Sequence, residues 1–213
     1  MRQQRSYPIE AIVLKRTDIG EADRILTLFT PNRGKMRAVA KGIRRPISKK
    51  AGHLELLNRS QLQIALGRNL DIVTQAEGRE NFLHLRSELW HMTCAFYLAE
   101  MVDRFVEDTT PHLDIYALLL EVLRYLDADA NALQQQRAQN PELVSEQVGE
   151  HSHTRLLLRY FELHLLSAIG YEPSLQNCTH CSNELRRKRM VSKLHLEEHS
   201  ARSAPVSGSA AYP

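Results

Sequence analysis

Residues 24–54 read RILTLFTPNRGKMRAVAKGIRRPISKKAGHL, with nine Lys/Arg and no Asp or Glu. A like-charged run of low complexity is usually a solvated tail. This one is interrupted on a strand period: Ile25, Leu26, Leu28 and Phe29 precede the charge, and Met36 and Val39 sit within it. The pattern predicts two strands, 24–30 and 35–41, joined by the turn residues Pro31, Asn32, Arg33 and Gly34. A basic loop, 42–52, follows and is broken by Pro46. Positive charge mounted on a folded hairpin costs self-repulsion, and most simply it faces a polyanion.

Outward from the hairpin, residues 10–16 (EAIVLKR) alternate imperfectly and predict a preceding strand, with a turn over 18–21. Residues 59–66 and 70–75 predict two more, around a tight connection at Gly67, Arg68 and Asn69. Five short strands with a long third-to-fourth connection fit a small Greek-key barrel of the OB type. From Arg79 the apolar period becomes helical. Ser87 is placed to cap a helix through Leu89, Trp90, Cys94, Leu98, Met101 and Phe105. A second helix starts near Pro111 and runs to about Leu126. Residues 128–150 turn polar and read as a mobile insertion, and a third helix spans about 153–169, ending at Gly170. The expected class is α+β: an OB-fold domain at 1–78, an α-helical domain at 79–177, a partial zinc-knuckle-like segment at 178–199 and a disordered tail at 200–213.

Composition is ordinary globular, with 43% hydrophobic and 25% charged residues among 213. The net charge of +3 hides an asymmetry: residues 1–54 carry 13 Lys/Arg against 4 Asp/Glu, and residues 55–213 carry 15 against 21. The basic front points to nucleic acid. No apolar run approaches a membrane span and no signal-peptide core is present, so a cytoplasmic protein is expected. Three cysteines do not make a disulfide scaffold, and Cys94, inside a helical apolar pattern, reads as a core thiol.

The candidate nucleic-acid contacts are Arg33, Lys35, Arg37, Lys41, Arg44, Arg45, Lys49 and Lys50. The barrel region offers only two aromatics, Tyr7 and Phe29, whereas base-reading OB folds stack bases on several. Phosphate contacts are therefore expected to dominate. With roughly five phosphates of a single strand neutralised, log K falls against log salt with a slope of about −3.5. Cys178 and Cys181 form a CxxC pair, and His195 and His199 complete C-x2-C-x13-H-x3-H, a spacing compatible with Zn2+. The intervening run Arg186, Arg187, Lys188, Arg189 leaves little apolar material for a finger core, which favours a metal-free segment. Enzyme signatures are missing: no phosphate-binding GxxxxGK[ST], no nucleophile elbow and no HExxH. Asp18, Glu21 and Asp23 lie close enough to hold a metal, but acids are common at strand-end turns. His84, His91, His112, His151, His153 and His164 are scattered without evident partners. The chain reads as a binding protein and not an enzyme.

Three segments, GEADRILTLFT (20–30), GKMRAVAKGIRRP (34–46) and the E-x-x-D of Glu100 and Asp103, resemble the RecO family of DNA repair proteins. The likeness covers about residues 6–182. It implies an N-terminal OB fold, a helical domain and, in many members, a zinc knuckle of two CxxC pairs. It implies a mediator of the RecF pathway that binds single- and double-stranded DNA, anneals complementary strands and helps load RecA, together with RecR and the single-strand-binding protein. By that similarity Arg33, Lys35, Arg37, Lys41, Arg44 and Arg45 contact DNA, in a nucleoid-associated bacterial protein. Cys178 and Cys181 match the first family pair. The second pair is absent, and the stretch after about Leu185 reads as an atypical or truncated end, leaving Leu- and Phe-rich helix faces partly exposed. Two other readings compete on composition alone: an RNA-binding OB protein, and an interaction adaptor working through its helices.

Overall fold

The imperfect alternation of residues 10–16 has a structural cause: both faces of that strand are covered. The computed structural model describes residues 6–139, 152–174, 176, 177 and 180. Strand β1 (Ser6–Ile19) turns Ile9, Ala11 and Val13 into one core, and Ile12 and Leu14 into another. A residue pattern serving two cores has no polar face to alternate with.

Strand β1 pairs antiparallel with β2 (Asp23–Thr30), which pairs with β3 (Gly34–Ala40). Strand β4 (Arg59–Ala65) pairs with β1 and with β5 (Asp71–Glu80). A short parallel contact of β3 with β5, through Ala38–Asp71 and Val39–Ile72, closes the sheet in the order β1-β2-β3-β5-β4. This five-stranded closed sheet is OB-like, as the spacing of the strands predicted. Its interior is filled by Leu26, Leu28, Ala38, Ala40, Leu62, Ile64 and Val73, and plugged by Ile43 and Leu54 from the β3–β4 connection. Strand β5 extends beyond the expected end at 75, because β4 keeps pairing with it as far as Arg59–Glu80.

Helices α1 (Leu83–Ser87), α2 (Leu89–Phe105), α3 (Leu113–Gln139) and α4 (Ser152–Ala168) follow. Their shared core, with Leu98, Val102, Leu119, Leu123, Phe161 and Leu165, includes Ile12, Leu14 and Phe29 from the barrel. Phe29 is fully buried, 5.7 Å from the ring of Tyr116. An ionic chain fixes α3 on the strands. Arg59 donates to Glu10 at 2.8 Å and to Glu80; Arg124 donates to Glu80 at 2.6 and 2.7 Å; Tyr116 donates to Glu10 at 2.8 Å. Barrel and helices form one compact unit, Met1–Tyr171, distinct from a second, Glu172–Pro213.

Three expectations need correction. Ser87 does not cap α2. Its hydroxyl donates to the His84 carbonyl at 2.8 Å, closing α1, and Glu88 stands at the α2 N-cap without its side chain capping the helix. Residues 128–139 are not part of a mobile insertion but the last turns of α3, while 140–151 lie outside the described residues. Polar side chains within 128–139 bond to α1, to α2 and to the residue between them: Asp129 to His91 at 2.7 Å, Gln134 to His84 and Ser87, and Arg137 to Glu88 at 2.7 Å. His91, expected to lack a partner, is thus buried against a carboxylate. Cys94 is the core thiol expected, its pKa pushed up to about 11 by burial. Phe96, Phe105, Leu156 and Leu163 are exposed on α2 and α4, as anticipated.

Candidate nucleic-acid interface

Side chains alternate across β3, so Met36, Ala38 and Ala40 face the barrel while Lys35, Arg37 and Val39 face out. What "out" means differs along the strand. At its start the hairpin is clamped to the α2–α3 connection. Gly34 has a φ of +65°, and a Cβ there would lie 2.1 Å from the Thr110 carbonyl oxygen. The Thr109 N–H donates to the Lys35 carbonyl at 2.9 Å. The Lys35 ammonium is drawn inward, donating to the Asp103 carbonyl and lying 3.7 Å from the Asp103 carboxylate and 3.2 Å from that of Asp108. Lys35 is 8% exposed. The structure therefore gives Lys35 a structural place, contrary to the sequence expectation, because its neutralising carboxylates arrive from α2 and from the α2–α3 connection, far along the chain.

Beyond the clamp the charge is free. Arg37 and Lys41 are exposed, and among the described residues their side chains have no ion-pair or hydrogen-bond partner. The loop after β3 is not loose. Gly42 N–H donates to Asp23 at 2.7 Å, Arg44 N–H to the Ala22 carbonyl at 3.0 Å, and Ser48 N–H to the Arg45 carbonyl at 2.9 Å. Ile43 anchors the loop in the barrel core. On this fixed support Arg45 and Lys49 are exposed and equally unpaired among the described residues. Arg44 is exposed but shared with Asp18 at 3.4 Å. Lys50 is turned back onto the carbonyls of Val73 at 2.9 Å and Lys41 at 3.3 Å. Burial lowers its pKa against the opposing pull of Asp23. Of the eight candidates, two are thus engaged internally, one is partly neutralised, and Arg33, Arg37, Lys41, Arg45 and Lys49 offer open cationic heads.

The three acids near the first turn do not assemble a metal site. Asp18 pairs with Arg24 at 2.6 Å, and the Arg24 hydrogen bond holds its carboxyl below the usual carboxylate range. Asp23 is taken by the Gly42 amide. Among the described residues no group of three His, Cys, Asp or Glu side chains is disposed to hold a metal ion. Cys178, Cys181, His195 and His199 lie outside the described residues.

Arg33, at the hairpin tip, has its guanidinium carbon 4.0 Å from the centroid of the Tyr7 ring. Tyr7 in turn donates its hydroxyl to Asp71 at 2.7 Å. The sequence held a signal for this pairing, one aromatic at the barrel entrance, but not the strand order that brings residue 7 beside residue 33. Arg68, read in the sequence only as a turn residue, is exposed next to Asn69 with no side-chain partner among the described residues. No helix among the described residues is long and apolar enough to cross a membrane.

Two family models match the chain. The one described as "Recombination protein O N terminal" matches residues 1–82, and the one described as "Recombination protein O C terminal" matches residues 86–139 and 146–212. The second match runs through the stretch after Leu185, so that stretch is not the departure from the family that its texture suggested. Curated relatives named DNA repair protein RecO include one from Roseiflexus sp. (strain RS-1), 38% identical over 211 residues, covering 99% of this chain and 62% of the relative. One from Dehalococcoides mccartyi is 34% identical over 185 residues, covering 87% of this chain and 64% of the relative. One from Nocardioides sp. is 38% identical over 177 residues, covering 82% and 64%. The chain spans less than two thirds of the length of these relatives.

Proposed function

The chain belongs to the RecO family of DNA repair proteins, and on that premise we propose that it is a non-enzymatic recombination mediator that grips DNA by its phosphates. The observation that carries this is the row of open cations, Arg37, Lys41, Arg45 and Lys49, held on a strand and a hydrogen-bonded loop with no carboxylate partner among the described residues. Charges left unneutralised on a fixed support repel one another, and a polyanion relieves that cost. Arg33 extends the row at the hairpin tip, and Arg44 adds a contact once Asp18 releases it.

Single and double strands both present phosphates, so both bind. A cationic surface that screens phosphate repulsion without reading bases lets two complementary strands find their own register, which is annealing. In this role the protein works beside RecR and a single-strand-binding protein in the loading of RecA. The groove between α2 and α4, about 560 Å3 and lined by Tyr97, Met101, Phe105, Leu165 and Leu166, with Glu162 and the paired Glu100 and Arg104 at its polar side, suits an apolar segment of such a partner.

The test is strand annealing by the purified chain, with and without the single-strand-binding protein, against a variant carrying R37E, K41E, R45E and K49E. The reading requires accelerated annealing that the variant loses. Annealing unchanged by four charge reversals refutes it, and a marked preference for RNA over DNA of equal length moves the assignment to RNA.

A further inference from the structure

Between the hairpin tip and the β4–β5 connection lies an open cleft of about 490 Å3, whose walls include Tyr7, Asn32, Arg33, Arg37, Asn69 and Asp71. We propose that this cleft takes one unstacked nucleobase of a single strand, with the Tyr7–Arg33 pair as its stacking platform. This deepens the phosphate-grip reading and rests on it.

Four observations point to a base. First, Arg33 lies over Tyr7 at 4.0 Å, which presents a guanidinium plane already desolvated on one side, and it remains exposed. Such planes and aromatic rings are what bases stack on. Second, the platform is built and not merely adjacent. Arg33 N–H donates to Thr30 Oγ1 at 3.0 Å, and that hydroxyl donates to the Gly34 carbonyl at 2.9 Å, which fixes the hairpin tip. Tyr7 is held by Asp71, whose other oxygen accepts the Gly67 N–H at 3.2 Å. Third, the other barrel aromatic is spent, since Phe29 lies wholly in the core. Any stacking by the barrel happens at Tyr7.

Fourth, the charges in the cleft sort backbone from base. Asp71 and Asp108 are both on its walls, and the Lys35 beside them is neutralised by Asp103 and Asp108. Arg33 and Arg37 also line the cleft, and a phosphate pushed past them meets carboxylates. A base brings a neutral ring and, on its edge, amino donors that a carboxylate or an Asn side chain accepts. The phosphates stay on the exposed head of Arg37 at the cleft wall and on Lys41 beyond it, and the base turns inward. A duplex keeps its bases paired and stacked, so it uses the outer row alone. The chain therefore discriminates single from double strand at one position without reading sequence along the rest.

The experiment is fluorescence anisotropy at one fixed salt concentration with three probes: a short mixed-sequence single strand, an abasic strand of equal length, and the corresponding duplex. The wild-type chain is compared with R33K, which keeps the charge and loses the plane, with Y7L, and with Y7F, which keeps the ring. Y7L is expected to weaken the intact single strand about tenfold while leaving the abasic strand and the duplex as in wild type, R33K to lower the ratio of intact-strand to abasic-strand affinity by about the same factor, and Y7F to stay within about twofold of wild type. If R33K and Y7L lower affinity equally for all three probes, or for none, the platform is refuted while the phosphate grip stands. If the folded wild-type chain binds no probe, both fall. Should Y7L fail to fold, the R33K result decides alone, because Arg33 is exposed at a turn.

Discussion

The two ends of β3 carry the same kind of residue and put it to opposite use. At the hairpin end, Lys35 is buried, paired with Asp103 and Asp108, and backed by Gly34 pressed on Thr110. At the loop end, Lys41, Arg45 and Lys49 are exposed and unpaired among the described residues. One end spends charge on joining barrel to helices; the other keeps it for a partner. Charge density along the chain is therefore not surface potential, because neutralising acids come from far away in sequence.

The comparison can be broken most forcefully at Gly34. Its φ is positive and the obstacle at 2.1 Å is backbone, so G34A should cost about 3 kcal/mol and lower the thermal midpoint by several degrees. A midpoint equal to wild type would show that the clamp is loose. Next, K35M should destabilise by about 2 kcal/mol, since it removes the charge-assisted bond to the Asp103 carbonyl together with the ion pairs to Asp103 and Asp108, yet leave DNA affinity of the folded protein unchanged. DNA affinity lost with stability intact would return Lys35 to the interface.

Acid should loosen the barrel from α3 before it weakens the DNA row. The Arg124 hydrogen bond leads in holding the Glu80 carboxyl below its ordinary 4.5. At Glu10 burial pulls upward but is outweighed by the bonds from Arg59 and Tyr116. Carboxyls depressed in the folded state stabilise it above the ordinary carboxylate pKa, and that stability is lost as pH falls through the lowered values. Equilibrium denaturation should therefore be flat above about pH 5 and fall below it. E80Q should remove part of that dependence and about 2 kcal/mol of stability at neutral pH; an unchanged acid limb would contradict the network.

The smallest effect sharpens the row itself. D18N releases Arg44 and should steepen the salt dependence of single-strand binding by about 0.7 in slope. An unchanged slope would mean that Arg44 stays out of reach of phosphate even when free.

Much of the fold is legible in the chain, and each exception has its own physical cause. The strands announced themselves through short apolar runs between Gly-, Pro- and Asn-rich turns, and α2 and α4 through a helical apolar period. The barrel's second neighbour did not, because the only trace of it in β1 was imperfect alternation. The end of α3 is hidden in the sequence because its polar side chains bond within the protein: Asp127 accepts the Leu85 N–H at 2.9 Å and Asp129 meets His91. Helix α1 was missed because five residues cannot show a period, and it is entered through Phe82 at a φ of +47°. In the interface, residue type located the cations. Only the fold could divide Lys35 and Lys50 from Arg37, Lys41, Arg45 and Lys49, and bring Tyr7 under Arg33.

The most direct measurement is the affinity of the folded chain for a single-stranded oligonucleotide across a series of salt concentrations. Five open cations predict a slope of log K against log salt near −3.5, at about −0.7 per phosphate, flattening to about −0.7, the one contact left to Arg33, in the fourfold R37E, K41E, R45E and K49E variant. A slope that the four reversals leave unchanged, or no binding at low salt, would contradict the account.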